Sequence, residues 1–250
     1  MNPRRSEPAP SYRERIHDRY ITVGPEAVSV SMEAIQTRRP IFRQLIKDFF
    51  PKNLDAEIVD LGCGGGGLLY VARELGYRKI TGVDVSPKQV AIARKLGIEG
   101  VDHNDCLQTL CILEPRSQDA IVTYDVIEHL RKEELEELMD EIFRVLRDGG
   151  RWIIHAPNAA SPFFGRIRYG DFSHQQGFTE GSIKQLALSC GFQQVLFAED
   201  APIPHGIKSL VRLALWKILR GFLRTWLLIE SGTSPPDSVF TQNLIAVAVK

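Results

Sequence analysis

The chain has 250 residues, enough for one well-buried α/β domain with additions and too few for two ordinary domains joined by a linker. Its 31 basic side chains balance its 31 acidic ones, so net charge gives no support to a nucleic-acid partner. The four cysteines form no C-x-x-C pair and share no ligand spacing with the six histidines. We therefore expect reduced thiols in a cytoplasmic protein, with no metal site.

The first fifty residues differ in character from the rest. Residues 1–10 hold three prolines among mixed charges and no apolar run, which predicts a disordered tail and no secretory signal. Residues 11–50 are predicted to form a helical cap, since Ser11 suits a helix start and 35–50 is amphipathic. The cap has two interpretations, closure over a ligand or packing against the edge of a sheet. Residues 51–250 are assigned to the main domain.

The most informative segment is 57–67, where an apolar strand pattern stops at a run of glycines and a helical pattern follows at once. Glycines allow positive φ and a close backbone approach to a flat ligand, and the first helical amides are suited to a polar group. The turn fits the G-x-G-x-x-G pattern of dinucleotide sites at Gly62, Gly64 and Gly67. Asp84 follows at the sequence spacing of the acid that binds the ribose in those sites. Asp60 favours another ligand, because a carboxylate there suits a cationic group and repels a pyrophosphate.

Strand and helix patterns alternate along the main domain, which predicts an α/β fold with a doubly wound, mostly parallel sheet. The strands are predicted at 57–61, 79–83, 98–103, 119–124, 151–156, 192–198 and 243–250. The helices are predicted at 67–75, 87–96, 132–147 and 181–191. In open sheets of this kind, ligands bind beyond the carboxyl ends of the strands, which is where the pattern places Asp60, Asp84 and Asp105.

A helical insertion at about 199–242 separates the last two predicted strands. Its segment 207–229 is predicted to be one helix, rich in apolar residues and interrupted by Lys208, Arg212, Lys217, Arg220 and Arg224. These cations argue against a membrane-spanning helix and leave a wide apolar face with a basic edge, which is typical of a helix at an interface. Three interpretations stay open: a lid over the binding pocket, a homodimer contact, and a peripheral anchor at the inner face of a membrane.

Five segments in one order resemble the class I S-adenosylmethionine-dependent methyltransferases: 57–67, 81–87, 103–106, 119–130 and 143–152. The resemblance implies a Rossmann-like fold with an antiparallel C-terminal strand, and S-adenosyl-L-methionine as cofactor. The family's acid at Asp84 bonds both ribose hydroxyls, and its residues at Asp105 and Cys106 lie beside the adenine. The cofactor site that the resemblance implies comprises Asp60, Gly62, Cys63, Gly64, Gly66, Asp84, Val85, Asp105, Cys106 and Tyr124.

The catalytic candidates follow the fourth and fifth predicted strands. A general base assists transfer to a hydroxyl by about 10²–10⁴-fold, and histidine titrates near neutral pH. His129 and His174 are therefore the candidates for base and acceptor contacts, with Glu128 expected to orient His129 or to bind substrate. Glu128 and His129 also fit a plain role as polar residues at a helix start. His155 lies inside a predicted strand and ranks third, as a packed or substrate-lining side chain.

The segment 166–179 concerns the acceptor. It resembles a pattern in bacterial methyltransferases associated with surface-polysaccharide and sugar modification, where Asp-Thr-His is usual; Ser173 here keeps the hydroxyl of the threonine. The resemblance implies methyl transfer to the oxygen of a small molecule, on a sugar or glycan intermediate. The alternatives are N-methylation of an amino sugar or small amine, and a non-catalytic cofactor-binding subunit that supports a partner through 207–229. A dehydrogenase would bind NAD(H) instead.

Overall fold

The computed structural model describes residues 31–233, 235 and 238–250. The expected tail at 1–10 and the first part of the expected cap, 11–30, lie outside the described residues. No helix in the described ranges combines the length and the apolar character needed to cross a membrane.

In this part of the chain seven strands form one sheet, in the order β3-β2-β1-β4-β5-β7-β6. The strands are β1 Ile58–Leu61, β2 Ile80–Asp84, β3 Val101–His103, β4 Gln118–Tyr124, β5 Leu146–Pro157, β6 Gln194–Glu199 and β7 Asn243–Val249. Neighbours from β3 to β5 are parallel, whereas β7 runs antiparallel to both β5 and β6. The predicted fold is confirmed. The chain reverses its direction of winding between β1 and β4, which opens a crevice at their carboxyl ends.

Helices cover both faces of the sheet. They are α1 Met32–Phe49, α2 Gly67–Glu74, α3 Pro87–Lys95, α4 Cys106–Ile112, α5 Lys132–Val145, α6 Phe164–Arg168, α7 Glu180–Ser189 and α8 Ile207–Ser231, with a 3₁₀ turn at Ile127–His129. The sequence did not predict α4 and α6, because both are too short to show a helical period. The start of α4 nevertheless carried a signal, since the Asp105 side chain accepts the amides of Leu107 and Gln108 as an N-cap.

Strand β5 begins earlier than predicted. The segment 148–150 was expected to form a turn between a helix and a strand, whereas it lies within β5. Its pairing with β4 shifts there, because Gln118 is opposite Leu146 and Ala120 is opposite Arg151. The extra residues form a bulge, and Gly149 supplies the positive φ of 76° inside it.

Two apolar clusters lie on opposite faces of the sheet, as the alternation of side chains along each strand requires. One packs α5 and α7 against side chains such as Trp152 and Ile154. The other packs α1, α2 and α3 against side chains such as Ile58 and Ile153. In the described part of the expected cap, α1 packs on α2.

The insertion leaves the sheet after β6 and returns before β7. Its two ends are joined, since the Phe240 amide donates to Glu199 Oε1 at 3.2 Å and the Asp200 amide donates to Thr241 Oγ1 at 3.2 Å. Between them α8 runs from Ile207 to Ser231 and buries only Ser209 among its own residues. The predicted helix at 207–229 is confirmed, and it lies on the surface of the domain.

Candidate active site

The glycine turn after β1 is held by backbone hydrogen bonds to β2. Gly62, Gly64 and Gly66 have φ of 72°, 55° and 77°. A Cβ on Gly62 would lie 2.5 Å from Val126 Cγ2, so the turn touches the segment that follows β4. The amides of Gly62 and Cys63 both donate to the Val83 carbonyl. The turn is therefore fixed in place between the ends of β1, β2 and β4.

Asp84 ends β2 and faces this turn. Its Oδ2 accepts the Gly64 amide at 2.9 Å and its Oδ1 accepts the Ser86 amide at 2.8 Å. These two bonds fix the orientation of the carboxylate, whose oxygens are acceptors. Val85, the next residue, is exposed. The arrangement suits a vicinal diol placed against the end of β2.

Asp60 lies within β1 and is only 1% exposed. Its Oδ1 has no hydrogen-bond partner in the described part of the chain. Burial, and then the nearby charge of Asp84, raise the pKa of the Asp60 carboxyl well above its ordinary value. A buried carboxyl of this kind is matched by an incoming cation, and the ammonium of a methionine tail is such a group. The residues present therefore fit S-adenosylmethionine.

Replacing Asp60 with asparagine is expected to stabilise the ligand-free protein at neutral pH by about 1–3 kcal/mol, because the neutral amide avoids the cost of either ionising or protonating a buried carboxyl. Folding raises the pKa of Asp60. The favourable contribution of Asp60 to the free energy of unfolding is therefore present below the ordinary carboxyl pKa and is lost as the pH rises. The advantage of the variant should therefore shrink in acid. Calorimetric unfolding at acidic and neutral pH measures the difference in stability between the variant and the wild type. A variant less stable than the wild type at neutral pH would contradict the prediction.

Three further cofactor candidates lie beside the turn. Burial raises the pKa of the Cys63 thiol and raises that of Cys106 to about 12, so neither is a thiolate at neutral pH. Asp105 is occupied by its N-capping bonds to α4. Its Oδ1 accepts both of these amides, which places the carboxyl at the N-terminus of α4.

Three of the residues on the acceptor side form a hydrogen-bonded chain. The Ser173 hydroxyl donates to Asp171 Oδ1 at 2.6 Å and lies 2.9 Å from His129 Nδ1. Because the Ser173 hydroxyl donates its proton to Asp171, its oxygen must accept a hydrogen bond from His129. This requires the proton of a neutral His129 to be on Nδ1, and leaves Nε2 as the basic nitrogen. The chain Asp171–Ser173–His129 therefore orients a base.

His174 and Glu128 pack beside this base. The rings of His129 and His174 are 4.8 Å apart at their centroids. Burial lowers the pKa of His174, which keeps its imidazole neutral at neutral pH. Glu128 is buried, and burial followed by the charge of Asp125 raises the pKa of its carboxyl well above the ordinary value. The structure thus brings together the three predicted catalytic residues.

The same three residues each offer one ligand atom, and these atoms all lie within 4.8 Å of one another. The expectation of no metal used cysteine and histidine spacing along the chain, which does not detect a carboxylate and two histidines from separate segments. Their grouping is a geometry that a cation fits, and the expectation stays a prediction.

A second polar cluster contains His155, Asp125 and Asp200, of which the sequence indicated only His155. His155 Nδ1 is 2.5 Å from Asp125 Oδ1, and its Nε2 is 3.4 Å from Asp200 Oδ2. Burial alone would lower the pKa of His155, but the two carboxylates outweigh it and raise that pKa well above the ordinary value. The ring is stacked on Tyr124 with centroids 4.0 Å apart. Tyr124 therefore lines this cluster, and Arg38 Cζ of α1 lies 5.3 Å from the centroid of the Tyr124 ring.

The position of Asp125 in the sequence is informative, because it directly follows β4, just as Asp84 ends β2. In the structure its φ is 56°, which is rare for a residue other than glycine. The neighbouring His155 outweighs burial and lowers the pKa of Asp125. Arg38 and Asp200 come from α1 and from the loop after β6, and no local pattern marks either of them.

A glycine turn fixed at the reversal of a parallel sheet, with Asp60 buried in β1 and Asp84 at the end of β2, is the arrangement that the resemblance to class I S-adenosylmethionine-dependent methyltransferases implies. A family model described as a methyltransferase domain matches residues 34–196, and the chain belongs to this family. The cofactor of this domain is S-adenosylmethionine.

Relatives agree on the class and differ in their acceptors. A ubiquinone biosynthesis O-methyltransferase of Xylella fastidiosa is 29% identical over 107 residues, which are 41% of this chain and 42% of that protein. The chain thus spans less than half the length of this curated relative. A methyltransferase structure from Archaeoglobus fulgidus covers 86% of this chain and 94% of its own, with 20% identity and a TM-score of 0.65. A phosphoethanolamine N-methyltransferase 2 of Haemonchus contortus, in complex with S-adenosylhomocysteine, has 19% identity and a TM-score of 0.60. The match covers 98% of this chain and 61% of that chain.

Proposed function

We propose that this chain transfers the methyl group of S-adenosylmethionine to a hydroxyl of a small molecule, of the sugar or glycan-intermediate class. The observation that carries the proposal is the chain Asp171–Ser173–His129, which orients an imidazole in the segment after β4, the same segment whose Val126 approaches the glycine turn. A hydroxyl must lose its proton on methylation, and an oriented imidazole is a group that takes it.

The cofactor residues have separate roles in this proposal. Asp60 receives the ammonium group, the carboxylate of Asp84 accepts both ribose hydroxyls, and the glycine turn lets the backbone contact the ligand closely. Cys63 and Val85 line the pocket with Gly62, Gly64 and Gly66, while Asp105 and Cys106 border the adenine. The buried carboxyl of Asp60 and the two backbone amides bound to Asp84 support these assignments.

The bound cofactor supplies an activated methyl group, so the protein has mainly to hold the acceptor in line. Such positioning is worth roughly 7–11 kcal/mol of the barrier. Transfer would form the oxygen–methyl bond and break the sulfur–methyl bond of the cofactor, which releases S-adenosylhomocysteine, while the hydroxyl proton would move to His129 Nε2. The resulting imidazolium is stabilised through Ser173 by the Asp171 carboxylate. His174 and Glu128 contact the acceptor beside it.

The two alternatives from the sequence make different demands on this base. An amine acceptor that binds in its neutral form is already a nucleophile, so N-methylation depends less on His129. Asp125 and Asp200 are anionic groups that suit an amino sugar, and they are the specific observation in favour of this second candidate. A non-catalytic subunit would bind the cofactor and methylate neither kind of acceptor.

The test uses the whole chain with S-adenosylmethionine labelled in the methyl carbon. Calorimetric titration with S-adenosylmethionine, S-adenosylhomocysteine and NAD⁺ first establishes the cofactor, with NAD⁺ expected to show no binding. Pairs of nucleotide sugars that differ only in a hydroxyl or an amino group are then offered as acceptors, and NMR identifies the labelled product. We expect the label on oxygen. Label only on nitrogen would replace the proposal with N-methylation, and cofactor binding with no product from an extended acceptor set would favour the silent subunit.

A further inference from the structure

Helix α8 presents two opposite faces. A stripe of half-buried residues at spacings of three and four packs on the domain: Leu213, Trp216, Arg220, Leu223 and Leu227. The helix is fixed there by Glu199 at the end of β6, which accepts Trp216 Nε1 at 3.1 Å and Arg220 Nε at 3.0 Å. The polar bonds of α8 to the domain therefore lie on one side.

The opposite side is apolar and points away from the domain. We define it as the outer stripe: Val211, Leu215, Ile218, Phe222, Trp226 and Ile229. Each of these side chains is between 52% and 80% exposed. A continuous row of large apolar side chains on a surface marks a site of interaction, since single exposed apolar residues are ordinary but a row of them is not.

The charges around the outer stripe select the partner. The segment 207–229 carries five cations and no acid. Lys208 and Arg212 border the outer stripe on one side and Lys217 lies on the other, and none of the three forms an ion pair within the described ranges. Glu230, the first acid afterwards, accepts Trp226 Nε1. A second copy of this helix would bring like charges together, whereas an anionic surface would complement them.

We propose that α8 is a membrane-surface helix, whose outer stripe inserts between the headgroups of an anionic phospholipid bilayer while its flanking cations contact the phosphates. This goes beyond the proposed function and does not depend on the acceptor. It also has a structural consequence for the site. Strands β5 and β6 both run antiparallel to β7, so Glu199 lies at the same edge of the sheet as the ends of β4 and β5. Because α8 is anchored on Glu199, docking through α8 brings this edge of the sheet near the bilayer.

The experiment measures sedimentation of the full chain with vesicles of phosphatidylcholine, alone or mixed equally with phosphatidylglycerol. We expect binding to the mixed vesicles, weaker binding to phosphatidylcholine alone, and a loss of the difference at high salt. The double variant Ile218→Asp/Phe222→Asp should bind at least tenfold more weakly. Ile112→Asp is the matched control, because Ile112 of α4 is 77% exposed against 72% for Ile218, and it should bind like the wild type.

The contribution of the cations is tested with the double variant Lys208→Gln/Arg212→Gln, and Lys184→Gln of α7 is the control. About a fivefold loss is expected for each removed cation of α8 and none for the control. Thermal unfolding and calorimetric cofactor binding show that each variant is folded, so a change in vesicle binding is separable from the methyl-transfer proposal. Equal binding of wild type and double variant would overturn the proposal. So would a wild type that ignores vesicles and forms a dimer in solution that the double variant abolishes.

Discussion

The Asp84→Ala variant should bind S-adenosylmethionine and S-adenosylhomocysteine more than 100-fold less tightly than the wild type. A hydrogen bond to a charged group is worth about 1.5–3 kcal/mol, and the proposed role of Asp84 gives it two such bonds to the ligand. The variant also removes the acceptor for the amides of Gly64 and Ser86, so the turn itself loses its support from β2. Calorimetric titration of both ligands measures the loss.

The control for this change is Asp102→Ala. Asp102 lies in the neighbouring strand β3 and is exposed, so its removal alters the charge of the same edge without touching the turn. Its affinity for the cofactor should equal that of the wild type. Asp84→Asn keeps one acceptor oxygen and should fall between the two variants. If Asp84→Ala bound both ligands with unchanged affinity, the assignment of Asp84 to the ribose would be wrong.

The second large effect is expected from His129→Ala, which should lower kcat by about 10²–10⁴-fold while cofactor affinity stays unchanged. The variant removes the imidazole nitrogen that we propose takes the proton of the hydroxyl. His205→Ala is the matched control, since His205 is exposed and lies just before α8. Steady-state kinetics on the acceptor found by labelling measures the effect. A His129→Ala variant with wild-type kcat would remove His129 from the chemistry and favour an acceptor that needs no base.

Ser173 tests whether the base is oriented as the structure shows. Ser173→Ala should lower kcat by up to about tenfold, the value of one hydrogen bond, and should move the acid limb of the pH profile because the Asp171 charge is uncoupled from His129. Ser173→Thr restores the hydroxyl and should recover both. His174→Ala, by contrast, is expected to raise KM more than it lowers kcat, since His174 is placed as an acceptor contact.

The glycine turn and the strand acids beside it could be predicted from the sequence because they are built from short local segments. The turn from β1 to α2, and the acid that ends β2, each show their chemistry within a few residues. The strand order then follows from the alternation of elements and from the rules of connection in parallel sheets. Local pattern and tertiary structure agree in this region, and the fold is confirmed.

The acceptor half was predicted only in part, because it is assembled from distant segments. His155, Asp125 and Asp200 come from three strand ends that are adjacent only when the sheet is formed. Arg38 reaches Tyr124 from a helix far earlier in the chain. The chain from Asp171 to His129 depends on where the loop after β5 docks, and the backbone amide of Gln175 fixes it by donating to the Glu128 carbonyl at 2.7 Å. No periodicity encodes such contacts.

The joined ends of the insertion have a consequence for how this protein can change. The bonds of Glu199 and Asp200 to Phe240 and Thr241 close the insertion where it leaves the sheet. The pairing of β6 with β7 therefore continues whatever the length or composition of the segment between them. An insertion anchored in this way is an exchangeable unit, so the same catalytic scaffold can be retargeted by replacing α8 and its flanking loops.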